Sequence, residues 1–447
     1  MKNKNYTKNR QISRRNFIRA SAAISIAAVL PTKERLFAAG SDKLRVGLIG
    51  CGSRGTGAAK NCLDAAPNVE LVAMADLFKD RLQLSLHQLK TNDKEQMTDW
   101  SSSTLWQNAH KVKAAEDTCF VGFDAYKKLI ACDVDLIILA TPPHFRPAHL
   151  KAAIEAGKHL FMEKPVAVDP VGVRSIIASS ELAEKKGLAI VAGTQRHHQN
   201  HYIELIKRVH DGQIGEIVAA QCYWNEDDSA NWGVFKRQPD WSDMEWQLRN
   251  WFFFTWLCGD HIVEQHLHNI DAVNWAIGTH PVTAMGMGGR QVRTGPEYGN
   301  IFDHFAVEYE YPNGARVLSM CRQTDGCHYR VSENIVGTKG SLHTDGVAGY
   351  IKGQNPFKYD GPNVNPYLQE HIDLINSIRT GKPINEGRRV AESTLTAIMG
   401  RMSAYTGRAL KWDWVMNASK LDLSPPSYEF GDLPVRPVAV PGKTKLI

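Results

Sequence analysis

The chain has 447 residues, 43% of them hydrophobic and 22% charged, with a formal net charge of +6. That length supports two domains of ordinary size, and the composition is that of a globular protein without low-complexity tracts or internal repeats. The basicity is local: residues 1–40 hold nine of the 53 Lys and Arg and one of the 47 acids, leaving 44 basic against 46 acidic residues in 41–447. That balance excludes a nucleic-acid surface as the organising feature.

In chain order, Ser13-Arg14-Arg15-Asn16-Phe17-Ile18 is followed by a mildly apolar stretch from Ala20 to Leu30 and by small residues at Ala38-Ala39-Gly40. This arrangement resembles a twin-arginine export signal. It implies a removable leader over 1–40, the twin-arginine export machinery as a partner, and a periplasmic destination for a protein folded with its cofactor inside. The apolar stretch is too short and alanine-rich to span a bilayer stably. Of eight cysteines, Cys51, Cys132 and Cys222 sit in or beside apolar elements, which predicts buried free thiols; Cys321 and Cys327 alone are spaced to pair across a turn.

From residue 41 the pattern is strand–turn–helix. Leu44 to Ile49 reads as a buried parallel strand and runs into Gly50-Cys51-Gly52-Ser53-Arg54-Gly55, after which Ala58, Ala59 and Leu63 begin a helical pattern. Gly50 suits the tight turn, Gly52 lacks a Cβ that would block a pyrophosphate, and Gly55 permits close helix–sheet packing. Val69 to Ala75 is a second strand, ending at Asp76, where an acidic side chain would hold a ribose diol and repel a 2′-phosphate. NAD is therefore expected rather than NADP, although Arg54 could serve either phosphate.

A helix over Lys79–Lys90 precedes a loop-like insert whose Trp100 and Trp106 are expected to cover the adenosine side. Cys119–Val121 and Val134–Ala140 read as strands around a short helix at Ala125–Ile130. The second of these strands ends in Thr141-Pro142-Pro143-His144, which places His144 near the nicotinamide end of the crevice. A helix over Pro147–Ala156 leads to His159-Leu160-Phe161-Met162-Glu163-Lys164-Pro165.

The glycine loop, Asp76, Thr141-Pro142-Pro143-His144 and Glu163-Lys164-Pro165 together resemble the glucose–fructose oxidoreductase / inositol dehydrogenase (Gfo/Idh/MocA) superfamily over roughly residues 43–410. The resemblance implies an α/β N-terminal Rossmann domain (41–168). It also implies an α+β C-terminal domain (169–412) with a large, mainly antiparallel open sheet; the proline-rich composition beyond Trp412 predicts an extended tail over 413–447. The resemblance further implies a cofactor site of Gly50, Gly52, Ser53, Arg54, Gly55, Asp76, Thr141, Pro142, His144, Glu163 and Lys164, and assembly into a homodimer or homotetramer. In that family the lysine of Glu-Lys-Pro points at the substrate hydroxyl. A partly desolvated lysine beside a cofactor can share an alcohol proton.

After a helix near Val171–Lys186 and a strand at Leu188–Ala192, Gln195-Arg196-His197-His198 faces the cleft by family position, making Arg196 and His197 candidate substrate contacts. Strands are expected at Ile214–Trp224, Val282–Met287, Phe305–Tyr311, Ala315–Arg322 and Tyr329–Gly337, with a hairpin turn at Pro312-Asn313-Gly314. Helices near Pro366–Arg379 and Arg388–Gly407 close the fold. Between the strands, the helix Asp260–Asp271 carries Glu264, His268 and Asp271 at the family's spacing for an aspartate, a histidine and an aspartate; Glu264 stands where aspartate is usual. On a continuous helix Glu264 and His268 share a face, giving a general base (His268) and a substrate-orienting acid (Glu264) beside Lys164. No metal is expected; the weaker alternative is a site of His261, Glu264 and His268, which fall within about 100° on such a helix. Aromatics from Trp224 to Trp256 suit a carbohydrate ring, and Glu226-Asp227-Asp228 reads as a solvated loop that could also bind sugar hydroxyls.

The expected function is an NAD-linked oxidoreductase acting on a secondary hydroxyl or ketone of a sugar, glycoside or cyclitol, with glycoside oxidation at C3 preferred. The alternatives are an NAD-dependent glycoside hydrolase or lyase with a closed oxidation–elimination–reduction cycle, and a non-catalytic sugar- or dinucleotide-binding protein.

Overall fold

The computed structural model describes residues 43–91, 106–227 and 236–447. The export-signal residues, Trp100, Asp228 and Trp232 lie outside the described residues.

Six short strands form a wholly parallel sheet: β1 (Leu44–Ile49), β2 (Val69–Asp76), β3 (Cys119–Val121), β4 (Leu136–Leu139), β5 (His159–Met162) and β6 (Ile190–Ala192), in the order β3-β2-β1-β4-β5-β6. The four residues of β4 are fully buried, as expected of a strand covered by helices on both faces. The strand order reverses between β1 and β4, which opens a crevice at their C-terminal ends. Because β6 belongs to this sheet, the first domain runs past the expected boundary at 168. The helix Pro170–Lys186 is a crossover within it, capped by Asp169 at its start and by left-handed Gly187 at its end.

The second sheet has nine strands: β7 (Ile217–Glu226), β8 (Thr283–Gly289), β9 (His304–Glu310), β10 (Arg316–Gln323), β11 (Arg330–Gly337), β12 (Gly340–Asp345), β13 (Gly349–Gly353), β14 (Phe357–Lys358) and β15 (Leu410–Lys411). Their order is β14-β13-β12-β11-β7-β10-β9-β8-β15. All pairings are antiparallel except β7 with β10. Pro312-Asn313-Gly314 makes the β9–β10 turn, with Gly314 at φ +84°. One face of the sheet packs under the helices Leu267–Ile277 and Gly387–Thr406. On the other face Met285 and Met287 are 60% and 76% exposed.

Two late helices bind the halves together: Pro366–Arg379 packs on the glycine-loop helix Ser53–Ala65, and Gly387–Thr406 on Pro170–Lys186. Beyond a short helix at Trp412–Asn417 the tail runs over its own chain. Leu423 N donates to Asp169 Oδ2 at 2.8 Å, Phe430 packs on Phe78 and Phe123, and Leu433 O accepts from Gln247 Nε2 at 2.6 Å. Trp106 is buried on the outer side of the glycine-loop helix, its Nε1 donating to Asp64. It does not cover the adenosine side as expected. All eight cysteines are free; Cys321 is buried in β10 and Cys327 is exposed.

Candidate active site

A cleft of about 850 Å³ lies over the ends of β1, β2, β4 and β5 and is walled on its far side by β7 and the helices after it. Its volume is that of a ligand site rather than a packing gap.

In the half over the parallel sheet, each glycine has its own reason. Gly50 has φ +98°, and a Cβ there would meet the Ala140 backbone at 2.6 Å. A Cβ on Gly55 would come within 1.9 Å of Gly50 O, so the helix can approach the strand only without one. At Gly52 nothing lies within 4 Å of a Cβ position: the room is in the cleft, where a pyrophosphate would need it. Gly52 and Ser53 line the cleft at the start of the helix Ser53–Ala65, whose free N–H groups favour an anion. Asp76, at the end of β2, lines the same space; its Oδ2 accepts from Cys51 N at 2.6 Å and its Oδ1 from Phe78 N at 2.8 Å. These residues fit a dinucleotide.

Arg54 lines the cleft, yet its guanidinium is committed to carboxylates. Its Nε donates to Glu163 Oε1 at 2.5 Å, one terminal nitrogen reaches Glu370 Oε1 at 3.4 Å, and the group lies over the Tyr367 ring. Thr141, Pro142 and Glu163 also line the cleft. His144 does not. It turns to the tail, its Nε2 within 2.8 Å of Tyr428 Oη, and packs edge-on to Trp256; burial lowers its pKa to about 4. The expectation of a His144 at the nicotinamide end is corrected by a partner 284 residues away in sequence.

In the other half, Lys164 Nζ donates to the backbone carbonyl of Glu264 and to its Oε1, the latter at 3.2 Å. Glu264 Oε2 is buried without a partner. Burial pushes the Glu264 carboxyl up against the opposing pull of Lys164 and Arg146. His268 lines the cleft, stacked on Trp224 with ring centroids 5.8 Å apart and with its buried Nδ1 unpartnered. Burial, then the charges of Lys164 and Arg196, hold it neutral, far below the usual histidine range.

The helix expected over 260–271 is broken. Asp260 takes φ +73° and its carboxylate binds His261 N, Phe302 N and Tyr405 Oη; the turn His261–Glu264 ends at Gln265, and a new helix runs Leu267–Ile277. Glu264 and His268 still reach one cleft, and Gln265 joins them. His261 does not; it is buried beside Phe305. The alternative metal site assumed one continuous helix, and among the described residues no group of three His, Cys, Asp or Glu is placed to hold an ion. His266 packs inward, its Nε2 2.7 Å from Ser319 Oγ.

Arg196 and His197, expected at the substrate, belong to buried networks instead. Arg196 bonds Glu333; His197 Nε2 meets Asp271 Oδ2 at 2.8 Å and stacks on Trp275, with Arg389 on the same carboxylate. Asp271 is thereby placed outside the cleft with its pKa held low. Gln195 takes the cleft position, donating to Tyr367 Oη at 3.2 Å. Glu226, read as part of a solvated loop, is buried at the end of β7 and lines the cleft with Trp224, Asn250 and Trp251. Of the other aromatics, Trp246, Phe254 and Trp256 form a separate core.

Two family models match: an oxidoreductase family with an NAD-binding Rossmann fold over residues 44–194, and a GFO/IDH/MocA C-terminal domain over 202–343. The chain belongs to the Gfo/Idh/MocA oxidoreductase family. It is 26% identical to the 2,7-anhydro-N-acetylneuraminate hydratase of Escherichia coli over 47% of its own length and about half (52%) of that protein's. It is 21% identical to the scyllo-inositol 2-dehydrogenase (NAD(+)) of Bacillus subtilis over 67% of this chain and 73% of that one. Among solved structures, an aldose-aldose oxidoreductase from Caulobacter crescentus in complex with glycerol aligns with TM-score 0.61 at 19% identity, covering 83% of this chain and 99% of that one. A levoglucosan dehydrogenase in complex with NADH and L-sorbose aligns with TM-score 0.64 at 16% identity, covering 83% and 98%. These two share the fold.

The glycine geometry separates folding from binding. Gly55→Ala is expected to destabilise the protein by about 2 kcal/mol or more, read as a lowered urea midpoint, because backbone must move. Gly52→Ala is expected to melt like the parent and to weaken NAD about tenfold or more, read by calorimetry. A Gly52→Ala protein that binds NAD normally would move the phosphate site elsewhere.

Proposed function

We propose that this chain is an NAD-dependent dehydrogenase that interconverts a secondary alcohol and a ketone on a sugar, glycoside or cyclitol. The observation that carries the reading is one cleft holding an open glycine turn and Asp76 at one end, and Lys164, Glu264 and His268 at the other. A nicotinamide held over Gly50, Gly52, Asp76 and Thr141 would supply the two-electron oxidant for the carbinol carbon.

The chain's own residues manage the proton. Glu264 takes two of the hydrogen-bonding directions of Lys164, which fixes the Nζ and leaves one donor for a substrate oxygen. Neutral His268 accepts the hydroxyl proton while Lys164 stabilises the charge that builds on the oxygen. In the reverse direction His268 returns that proton. Glu264, one methylene longer than the family's aspartate, acts as the clamp on Lys164. Asp76 favours NAD over NADP by presenting a carboxylate where a 2′-phosphate would lie.

The ring faces of Trp224 and Trp251 suit a sugar, and C3 of a glycoside is the preferred carbon; inositol and levoglucosan dehydrogenases among the related proteins support the substrate class. A closed oxidation–elimination–reduction cycle is the second reading, favoured by the hydratase relative. The leader resembling a twin-arginine signal supports a periplasmic location.

A second copy of the chain is proposed to cover the open face of the nine-stranded sheet. Met287 and Met320 both stand opposite Ala306 on neighbouring strands, so they form one apolar row. Light scattering is expected to give a dimer or tetramer, and Met287→Lys with Met320→Lys a smaller species. A monomeric parent would contradict this.

Lys164→Met and His268→Gln are each expected to lower kcat by about 10²-fold or more while NAD remains bound. The pH profile carries a sign: a base whose pKa is lowered by folding is lost only as pH falls through that lowered value. The acid limb of kcat/KM is thus expected to lie below pH ~6.5, the ordinary histidine value. An acid limb at or above it would remove His268 from the role.

A further inference from the structure

Among the described residues, the carboxylates that line the cleft around Lys164 are matched by cations, with one exception. Glu163 has Arg54 and Glu264 has Lys164. Behind them Glu333 has Arg196, and Asp271 and Glu386 share Arg389. Glu226 is equally buried and lines the cleft, but the side chain that bonds its carboxylate is the neutral Gln323 amide. Its charged neighbour Asp227 is itself negative, and burial is the largest influence on the carboxyl, pushing it up.

The surrounding amides are oriented so that Glu226 can only accept. Arg293 donates to Gln323 Oε1, which turns the Gln323 amide nitrogen toward Glu226 Oε1 at 3.3 Å and toward Gln265 Oε1. Gln265, bound through its oxygen, is left with its nitrogen for Glu226. A buried acceptor held by neutral groups and facing a cleft is stabilised most by donors that a ligand brings. Glu226 lies two residues beyond Trp224 on β7 and so on the same face of the strand, about 6–7 Å along it. Trp224 stacks on His268. Glu226 and His268 therefore both border the part of the cleft beside Trp224.

We infer that Glu226 is the specificity-determining residue of the cleft, accepting hydrogen bonds from O–H or N–H donors carried by the substrate ring away from the carbinol under Lys164. The inference rests on the dehydrogenase reading, and a hydroxyl or a protonated amine could supply the donor.

The test is equilibrium binding to the NAD-loaded full chain, measured apart from turnover. The probes are myo-inositol, methyl β-D-glucopyranoside with its 2-, 4- and 6-deoxy forms, and methyl β-D-glucosaminide. Glu226→Gln is expected to weaken the best-bound probe at least tenfold while NAD binding is unchanged, and Glu226→Asp to recover part of the loss. One deoxy form should cost the parent tenfold or more and cost Glu226→Gln less than threefold, a coupling that general structural damage does not produce. Amine preferred over hydroxyl by the parent but not by Glu226→Gln assigns an ammonium as the donor; equal losses assign a hydroxyl. Unchanged binding by Glu226→Gln, deoxy penalties equal in both proteins, or a parent that binds none of the probes would overturn the inference. Binding with no oxidation of any probe would count against the dehydrogenase reading alone.

Discussion

The site depends on Lys164 being held from across the cleft. Its ammonium leaves the end of a strand in the parallel sheet and is captured by the carbonyl and carboxylate of Glu264, which belong to the second half of the chain. A flexible four-carbon arm would otherwise spread over many rotamers, and ordering it at the moment of reaction would cost binding energy. Arg54 performs the matching task on the other side, tying the glycine-loop helix to Glu163, the neighbour of Lys164, and to Glu370 on a late helix. The two ion pairs fix the dinucleotide end and the proton-handling end in one frame.

Burial sets the protonation states that this frame needs. His268, buried and near the charges of Lys164, Arg196 and Arg54, stays neutral and able to accept a proton. Glu264 stays beside its lysine, so the two charges cancel locally. Among the described residues Glu226 has no such cation beside it, and it faces the cleft.

Much of this was legible from residues alone. Strand β4 reads as a continuous apolar run, the glycine loop and Asp76 are separated by one helix, and the helix Pro366–Arg379 begins at a proline after an asparagine cap. The resemblance to the family singles out Lys164, Glu264 and His268, and all three line one cleft. What was hidden depends on distant partners. Nothing local marks the break at Gln265, and the left-handed Asp260 ahead of that turn is held by Tyr405 and Phe302 from elsewhere in the chain. His144 is turned away by Tyr428, and Arg196 and His197 are claimed by Glu333 and Asp271. The strands β13 to β15 span only two to five residues, too few for a period to show.

The most direct test of the central claim is mass analysis of a glycoside panel incubated with the purified protein and NAD, with cofactor reduction followed in parallel. The account predicts a product two hydrogens lighter than its substrate, with the aglycone attached and one NAD reduced for each. Free aglycone with no net reduction of NAD would contradict it and make elimination the step to explain.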